Sequence, residues 1–153
     1  MKLSNNFSLG ELTKSATAIR FGINNNPATE QVAALSVLCN RILQPCRDHF
    51  GKSIMPSSGF RSIELSEKLG SSSKSQHTKG EAVDFEIAGI DNMVLAEWLA
   101  AFLDFDQLIL EYYIHNDPAS GWIHCSYSRF FNRNEVLRTV TEGGKLKYLP
   151  GLV

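Results

Sequence analysis

The sequence predicts a single α+β domain, in which short strands form a small antiparallel sheet and helices pack on it. Two long segments carry apolar residues at helical spacing, and short apolar runs bounded by glycine, proline or asparagine indicate strands between and after them. Helices and strands in mixed order are typical of the α+β class. A length of 153 residues suits one domain around one core, so residues 1–153 are expected to fold as one unit.

Composition and charge describe an ordinary globular chain, with 43% hydrophobic residues, 20% charged residues and a net charge of −1. No block of like charge points to nucleic acid or to an anionic membrane as a partner. We find no apolar signal segment and no run of roughly eighteen apolar residues, so we expect synthesis in the cytoplasm and no integral membrane segment. Cys39, Cys46 and Cys125 lack CxxC spacing and are expected to be reduced core thiols.

Helices are expected to dominate the first third of the chain. A capping box at Ser8 predicts a short helix over residues 9–15. Residues 17–26 are rich in asparagine and are expected to form a loop. Apolar residues at helical spacing predict the main core helix over residues 28–50, with a kink or break just before Pro45, which cannot donate a backbone hydrogen bond.

Shorter elements follow in the middle of the chain. We expect a short strand over residues 53–57 and a brief helix over residues 63–69. Residues 71–76 are small and polar, which is typical of a flexible loop. A strand is expected over residues 82–87, and an apolar stripe at helical spacing predicts a helix over residues 91–103.

The last two long strands, over residues 106–113 and 121–128, are expected to form a hairpin, and residues 136–149 to form a second, closing hairpin. If the loop of the first hairpin is symmetric, Glu111 lies directly across from His124. Directly opposed residues point to the same face of a sheet, so the carboxylate and the imidazole would be neighbours.

The same register divides the first hairpin into a polar face and an apolar face. We expect Tyr113 and Trp122 on the polar face beside His124, whereas Tyr112 and Cys125 would point into the core. A slip of one residue would exchange the two faces, so this assignment depends on the loop.

Two histidines and an aspartate offer a set of three metal ligands: His77, Asp84 and His124. Three protein ligands leave one open position on a tetrahedral zinc ion, as catalytic zinc sites require. A carboxylate that lies beside the ion without binding it, here Glu111, can take a proton from the attacking water and pass it to a leaving amine. The set therefore indicates a zinc hydrolase, and the alternative for Glu111 is a strand residue without a catalytic role.

Three sequence motifs occur in a recognisable order: S-G-F-R-S at residues 58–62, S-x-H-x-x-G-x-A-x-D at residues 75–84 and W-I-H at residues 122–124. Together they resemble the zinc D-alanyl-D-alanine carboxypeptidase family (peptidase M15-like). That family includes phage endolysins that cut L-alanyl-D-glutamate bonds and the vancomycin-resistance dipeptidases. The resemblance spans most of the chain, and residues 7–61 are similar to small phage-encoded members with a single domain.

The resemblance implies a hedgehog/DD-peptidase-like fold and a zinc ion bound by His77, Asp84 and His124. It also implies that Arg61 steadies the scissile carbonyl or a substrate carboxylate, for which a fixed charge and forked donors are suited. Ser75, next to the ligand loop, is expected to contact the substrate.

One residue departs from the family pattern. Many members carry a catalytic acid three residues before the last histidine, where this chain has Gly121. Either Glu111 replaces that acid, or catalysis is weak or absent. Trp122, beside the ligand histidine, is expected to form a wall of the substrate site, with packing support as the alternative.

These observations predict a monomeric zinc metallopeptidase that acts on the stem peptides of bacterial peptidoglycan, as a D-Ala-D-Ala carboxypeptidase or an L-Ala-D-Glu endopeptidase. We expect it to reach the cell wall as a phage lysis enzyme released through a pore-forming protein, or as a component of a phage particle. The alternative is a non-catalytic, zinc-stabilised binding or structural module, because the signalling domain of hedgehog proteins resembles the family and retains such a site. An intracellular dipeptidase is a third possibility.

Overall fold

A five-stranded sheet is the scaffold of the protein, in a computed structural model that describes residues 1–153. Its strands are β1 (Ala82–Phe85), β2 (Gln107–Glu111), β3 (Trp122–Ser126), β4 (Glu135–Glu142) and β5 (Lys145–Pro150). They lie in the order β1-β3-β2-β4-β5. The predicted α+β class is confirmed. The sheet differs from the expected antiparallel one in a single pair, because β2 and β4 run parallel.

Six α-helices surround this sheet: α1 (Leu9–Thr13), α2 (Ala16–Phe21), α3 (Thr29–Leu38), α4 (Gln44–Phe50), α5 (Ile63–Lys68) and α6 (Asn92–Phe102). The predicted capping box is present at the start of α1, where the side chain of Ser8 accepts from the backbone N–H of Glu11. Asp91 caps α6. None of the helices combines the length and the hydrophobicity that a bilayer crossing requires.

Helix α2 shows that the loop predicted for residues 17–26 was wrong. The side chain of Ser15 caps the start of α2 by accepting from the backbone N–H of Ala18. The helix then ends at Gly22, whose N–H donates to the carbonyls of Ala18 and Ile19. A helix of 6 residues is too short to produce a clear apolar period, so composition alone suggested a loop.

The long core helix is continuous from α3 to α4 but changes its hydrogen bonding halfway, in a π turn over Cys39–Leu43. The backbone N–H of Gln44 donates to the carbonyl of Cys39, five residues earlier. Pro45 follows directly. The break expected before this proline is therefore a π turn. Pro45 has no backbone N–H to donate, and it lies at the point where the hydrogen-bond pattern of the helix already changes.

Residues 53–57 do not form the predicted strand. The backbone N–H of Ser57 donates to the carbonyl of Asp84 over 2.9 Å, and the next residue, Ser58, forms an isolated bridge with Asp84. Pro56 cannot donate to a ladder, which limits the pairing. The segment instead covers the outer edge of β1.

The core lies between the helices and one face of the sheet. Its buried residues include Leu35, Leu38, Ile42, Phe85, Leu95, Leu99, Leu108, Leu110 and Ile123. The three cysteines are free and buried in the same cluster, as predicted. Burial raises the pKa of the Cys39 and Cys46 thiols to about 12.

The hairpin of β2 and β3 has a register two residues away from the predicted one. Glu111 pairs with Trp122, and Ile109 pairs with His124. The predicted pairing of Glu111 with His124 was therefore wrong. Because side chains alternate with a period of two, this shift keeps Glu111 on the face of His124, now in the diagonal position.

The expected sides of Tyr112 and Tyr113 were also wrong. Tyr112 has a φ of 55°, so the alternation of side chains is broken directly after β2. The ring of Tyr112 stacks on that of Trp122 with centroids 5.0 Å apart. Tyr113 turns the other way, and its hydroxyl donates to Asp91 over 2.9 Å.

Gly121 lies directly against the backbone at the end of β2. It has a φ of +66°, and a Cβ atom built on it would lie 2.1 Å from the carbonyl oxygen of Glu111. No larger residue fits at position 121 while β2 and β3 keep this register. The backbone next to Glu111 thus requires a glycine at position 121, which is the position that departs from the family pattern.

We predict that Gly121→Ala lowers the free energy of unfolding by more than about 3 kcal/mol, since the variant combines a left-handed backbone with a clash. The matched control is Gly143→Ala, at a φ of +57° with no atom within 4 Å of the added Cβ. This control should cost only about 1–2 kcal/mol. Urea denaturation followed by circular dichroism measures both, and equal losses would contradict the close contact.

Candidate metal centre

Three side chains with metal-binding atoms converge on the open face of the sheet. The ligand atoms of His77, Asp84 and His124 all lie within 4.8 Å of one another. Asp84 Oδ1 is 3.4 Å from His77 Nε2 and 3.0 Å from His124 Nδ1. The three ligands predicted from the sequence are therefore brought together.

Strand pairing positions two of these ligands. Asp84 on β1 and His124 on β3 are direct partners in an antiparallel ladder. Directly opposed residues share a face and have neighbouring Cβ atoms, so the backbone alone brings the carboxylate to the imidazole.

His77 arrives from a short 3₁₀ turn, Gln76–Lys79, rather than from the flexible loop. The side chain of Ser75 caps this turn by accepting from the backbone N–H of His77 over 3.2 Å. The ring Nδ1 of His77 is 2.7 Å from the carbonyl oxygen of Gly59. Since a carbonyl only accepts, Nδ1 carries the proton and Nε2 keeps its lone pair for a metal ion.

The turn that carries His77 is fixed to helix α3. The side-chain amide of Gln31 donates to the carbonyl of Thr78 over 3.1 Å. Gly80 has a φ of +73°, and a Cβ atom on it would lie 2.6 Å from the carbonyl oxygen of Gln31. Glycine is thus needed at position 80 for the close approach of the turn to α3.

Arg61 holds the second oxygen of the central carboxylate. Its Nη2 lies 3.4 Å from Asp84 Oδ2, and its Nε donates to the Ser58 hydroxyl over 2.9 Å. The backbone N–H of Arg61 donates to the carbonyl of His77 over 3.1 Å. Arg61 therefore orients Oδ1 of Asp84 toward the two histidines while its guanidinium remains on the wall of the cleft.

Burial and charge set the pKa values of the two carboxyl groups in opposite directions. Burial alone would raise the pKa of Asp84, but the adjacent imidazoles of His124 and His77 outweigh it and hold that pKa well below its usual range. Burial, and next the charge of Asp84, raise the pKa of Glu111. Asp84 is thus suited to remain charged, whereas Glu111 is protonated more readily than an ordinary glutamate.

Glu111 lies beside the three ligands and not among them. Its Oε1 is 4.0 Å from His124 Nδ1, and its side chain is 16% exposed. It lines the same cleft as the ligands. A carboxylate at this distance can reach a water molecule or a substrate group next to the ion.

The cleft has a volume of about 950 Å³ and contains all seven site residues predicted from the sequence. Ser75 and Trp122 are among its lining residues. The Ser75 hydroxyl already serves the turn of His77. Trp122 stacks on Tyr112, so it forms a wall while it supports the end of the hairpin.

The C-terminal part of the chain adds residues that sequence reasoning missed. Arg133 forms a two-pronged ion pair with Asp106, with Nε–Oδ1 and Nη2–Oδ2 distances of 2.9 and 2.8 Å. This pair fixes the segment that leads into β4. Leu137 and Tyr148 of the closing hairpin then line the cleft. No motif marks these two residues, because only the pairing of β4 with β2 brings them to the site.

The three ligands fit a zinc ion by their chemistry and their spacing. Two ligands at zinc distances of 2.0–2.1 Å in a tetrahedral site are roughly 3.3 Å apart, close to the two distances measured from Asp84 Oδ1. Two neutral imidazoles and one carboxylate are a ligand set found in catalytic zinc proteins. The hydrogen bond from His77 to Gly59 supplies the outer support that such ligands usually have.

A sequence model of the family described as Peptidase M15 matches residues 5–126 of the chain. The matched part includes the three ligands, Arg61 and Glu111, and it ends at the last residue of β3. Strands β4 and β5 lie after it. No curated protein matches the chain.

We predict that His77→Ala abolishes the binding of one zinc ion per chain, because two remaining ligands hold zinc weakly. His115→Ala is the control, since His115 is an exposed histidine in the loop after β2. Calorimetric titration with zinc, and metal analysis after dialysis, measure the stoichiometry. Full zinc occupancy in the His77→Ala protein would contradict the assignment.

Proposed function

Because the chain belongs to the peptidase M15 family, we propose that it is a zinc metallopeptidase acting on the stem peptides of bacterial peptidoglycan. The observation that carries the proposal is the convergence of His77, Asp84 and His124 next to a separate carboxylate, Glu111. Metal ligands with an adjacent, unbound carboxylate are the arrangement that metal-assisted hydrolysis uses.

In this proposal a zinc ion would be held by His77 Nε2, Asp84 Oδ1 and His124 Nδ1. A bound zinc ion supplies Lewis acidity, which polarises a carbonyl group and makes water more acidic. The protein residues around it then have to orient the peptide and move protons.

Glu111 is the proposed general base and acid. Its carboxylate takes a proton from the attacking water and gives it to the nitrogen of the departing amine. Burial and the charge of Asp84 raise its pKa, which makes its carboxylate a stronger base than that of an ordinary glutamate. Gly121 is no obstacle to this role, because its missing side chain is what lets the backbone of β2 approach β3.

Arg61 is the proposed electrostatic partner of the substrate. Its guanidinium is held by Ser58 and Asp84, so its position needs little reorganisation when a peptide binds. From the cleft wall it can stabilise negative charge on the oxygen of the scissile carbonyl, or bind a carboxylate of the stem peptide. Ser75 and Trp122 complete the proposed substrate contacts.

We propose that residues 1–153 act as one monomeric domain. The substrate is in the cell wall, so a phage lysis enzyme released through a pore-forming protein is one setting, and a component of a phage particle is another. In both, the site and its chemistry are the same.

A non-catalytic, zinc-stabilised module is the second candidate. The observation that favours it is Gly121, at the position where many family members are expected to carry an acid. In such a module Glu111 would be a half-buried strand residue, and its replacement would change stability without changing any reaction.

Incubation of the zinc-loaded protein with purified peptidoglycan, followed by mass spectrometry of the fragments, tests the proposal. Release of free D-alanine would identify a carboxypeptidase. A cut between L-alanine and D-glutamate would identify an endopeptidase. An unchanged fragment pattern from protein that holds zinc would favour the non-catalytic module.

We predict that Glu111→Gln lowers kcat/KM by about 100-fold or more, the usual size of a general-base contribution, and leaves the zinc content unchanged. Glu142→Gln is the matched control, because Glu142 is an exposed strand glutamate that pairs with Lys147 over 2.7 Å. A loss of less than tenfold in the Glu111→Gln protein would remove Glu111 from the mechanism.

A further inference from the structure

The row of residues that carries the metal ligands continues across the sheet into the closing hairpin. Asp84 pairs with His124, His124 with Ile109, and Ile109 with Leu137. Paired residues on neighbouring strands point to the same face. The cleft therefore extends from the ligands over Ile109 to Leu137, and its polar floor becomes aliphatic.

The neighbouring row of paired residues on the same face of the sheet ends at Tyr148 on β5. Trp122 pairs with Glu111 on β2, and Thr139 pairs with Tyr148 at the far side of the sheet. The backbone N–H of Tyr112 donates to the Thr139 hydroxyl over 2.8 Å, which fixes the hairpin against the end of β2. Tyr148 lines the cleft with 53% of its surface exposed. Burial, and next the charge of Glu111, raise the pKa of Tyr148, in keeping with a phenol near that carboxylate.

The two ends of the cleft differ in character. The end at the His77 turn carries charged side chains, among them Lys74 and Lys79, whereas the hairpin end offers Leu137 and the ring of Tyr148. At about 950 Å³ the cleft lies near the upper limit of pockets that enclose a drug-sized ligand, roughly 300–1,000 Å³. It has more room than the two residues joined by one scissile bond need.

We infer that Leu137 and Tyr148 form a subsite for a further residue of an oligopeptide, beyond the two residues at the scissile bond. This inference rests on the proposed function and specifies its substrate as an extended peptide. The subsite takes a small or aliphatic side chain, because Leu137 offers no polar group and Tyr148 offers a ring face and one hydroxyl. The hairpin lies after the matched residues 5–126, so this selectivity belongs to the C-terminal extension of the sheet.

The test is a binding experiment that does not depend on turnover. Synthetic stem pentapeptide, and forms shortened by one or two residues from either end, are titrated calorimetrically into zinc-loaded protein with Glu111→Gln as the background. Shortening from one of the two ends should remove the peptide residue that contacts Leu137 and Tyr148, and we expect the affinity to fall about tenfold at that step. In the same background, Tyr148→Ala should weaken the pentapeptide about tenfold and Leu137→Ala about threefold.

A double-mutant cycle, which combines a substitution in the protein with a shortened peptide, assigns the interaction between the subsite and the further peptide residue. The shortened peptide should bind the Tyr148→Ala protein and its parent within twofold of each other, since the contact is already absent. Tyr148→Phe keeps the ring and should bind the pentapeptide within threefold of its parent. Lys147→Ala, on the same strand and outside the cleft lining, is the control and should change nothing.

Two results would overturn the subsite. One is an equal loss of affinity for peptides of every length in the Tyr148→Ala and Leu137→Ala proteins, with thermal unfolding confirming that both are folded. The other is the absence of measurable binding of the pentapeptide. Turnover by the unmodified protein is judged separately. Cleavage without length-dependent losses rejects the subsite alone, and length-dependent binding without any cleavage rejects the proposed peptidase activity alone.

Discussion

The pairing of Asp84 with His124 is the contact on which the candidate metal centre depends. Two adjacent antiparallel strands place a carboxylate and an imidazole side by side, and the remaining structure brings a third ligand to that pair. His77 is held by the carbonyl of Gly59 and by a turn that is fixed to α3. Every ligand therefore rests on backbone hydrogen bonding, so the site is formed by the fold before any ion binds.

Electrostatics explains why the carboxylate of Asp84 has charged and hydrogen-bonding groups at both of its oxygens. A buried carboxylate is costly unless charged or hydrogen-bonding groups surround it. Asp84 has a histidine on each side of Oδ1 and Arg61 at Oδ2. Glu111 has only the longer contact of 4.0 Å between its Oε1 and His124 Nδ1, and this difference shifts the pKa values of the two carboxyl groups in opposite directions. One carboxyl group is held in its charged form and the other is protonated more readily, although both lie on the same sheet.

The sequence predicted the parts of the structure that local chemistry determines. The caps of α1 and α6 and the break before Pro45 are of this kind. The convergence of the three ligands is not local, and it could be expected because three motifs occur in the order typical of a known family. The predictions failed for features that are determined by backbone contacts between distant parts of the chain. The two-residue shift of the hairpin and the reversal at Tyr112 follow from a loop whose shape residue types do not specify. The parallel contact of β4 with β2 joins segments with no common pattern, so the cleft wall that β4 and β5 form could not be predicted.

The three buried thiols limit how long the protein survives once it is outside a reducing compartment. While the chain is folded, the raised pKa values of Cys39 and Cys46 keep both thiols protonated and unreactive. Each opening of the core exposes them, together with Cys125, to oxidation and to wrong disulfides that block refolding. Outside a reducing compartment, the lifetime of the folded protein is then set by the rate of unfolding and not by the equilibrium between folded and unfolded states. For this molecule, durability is a kinetic property.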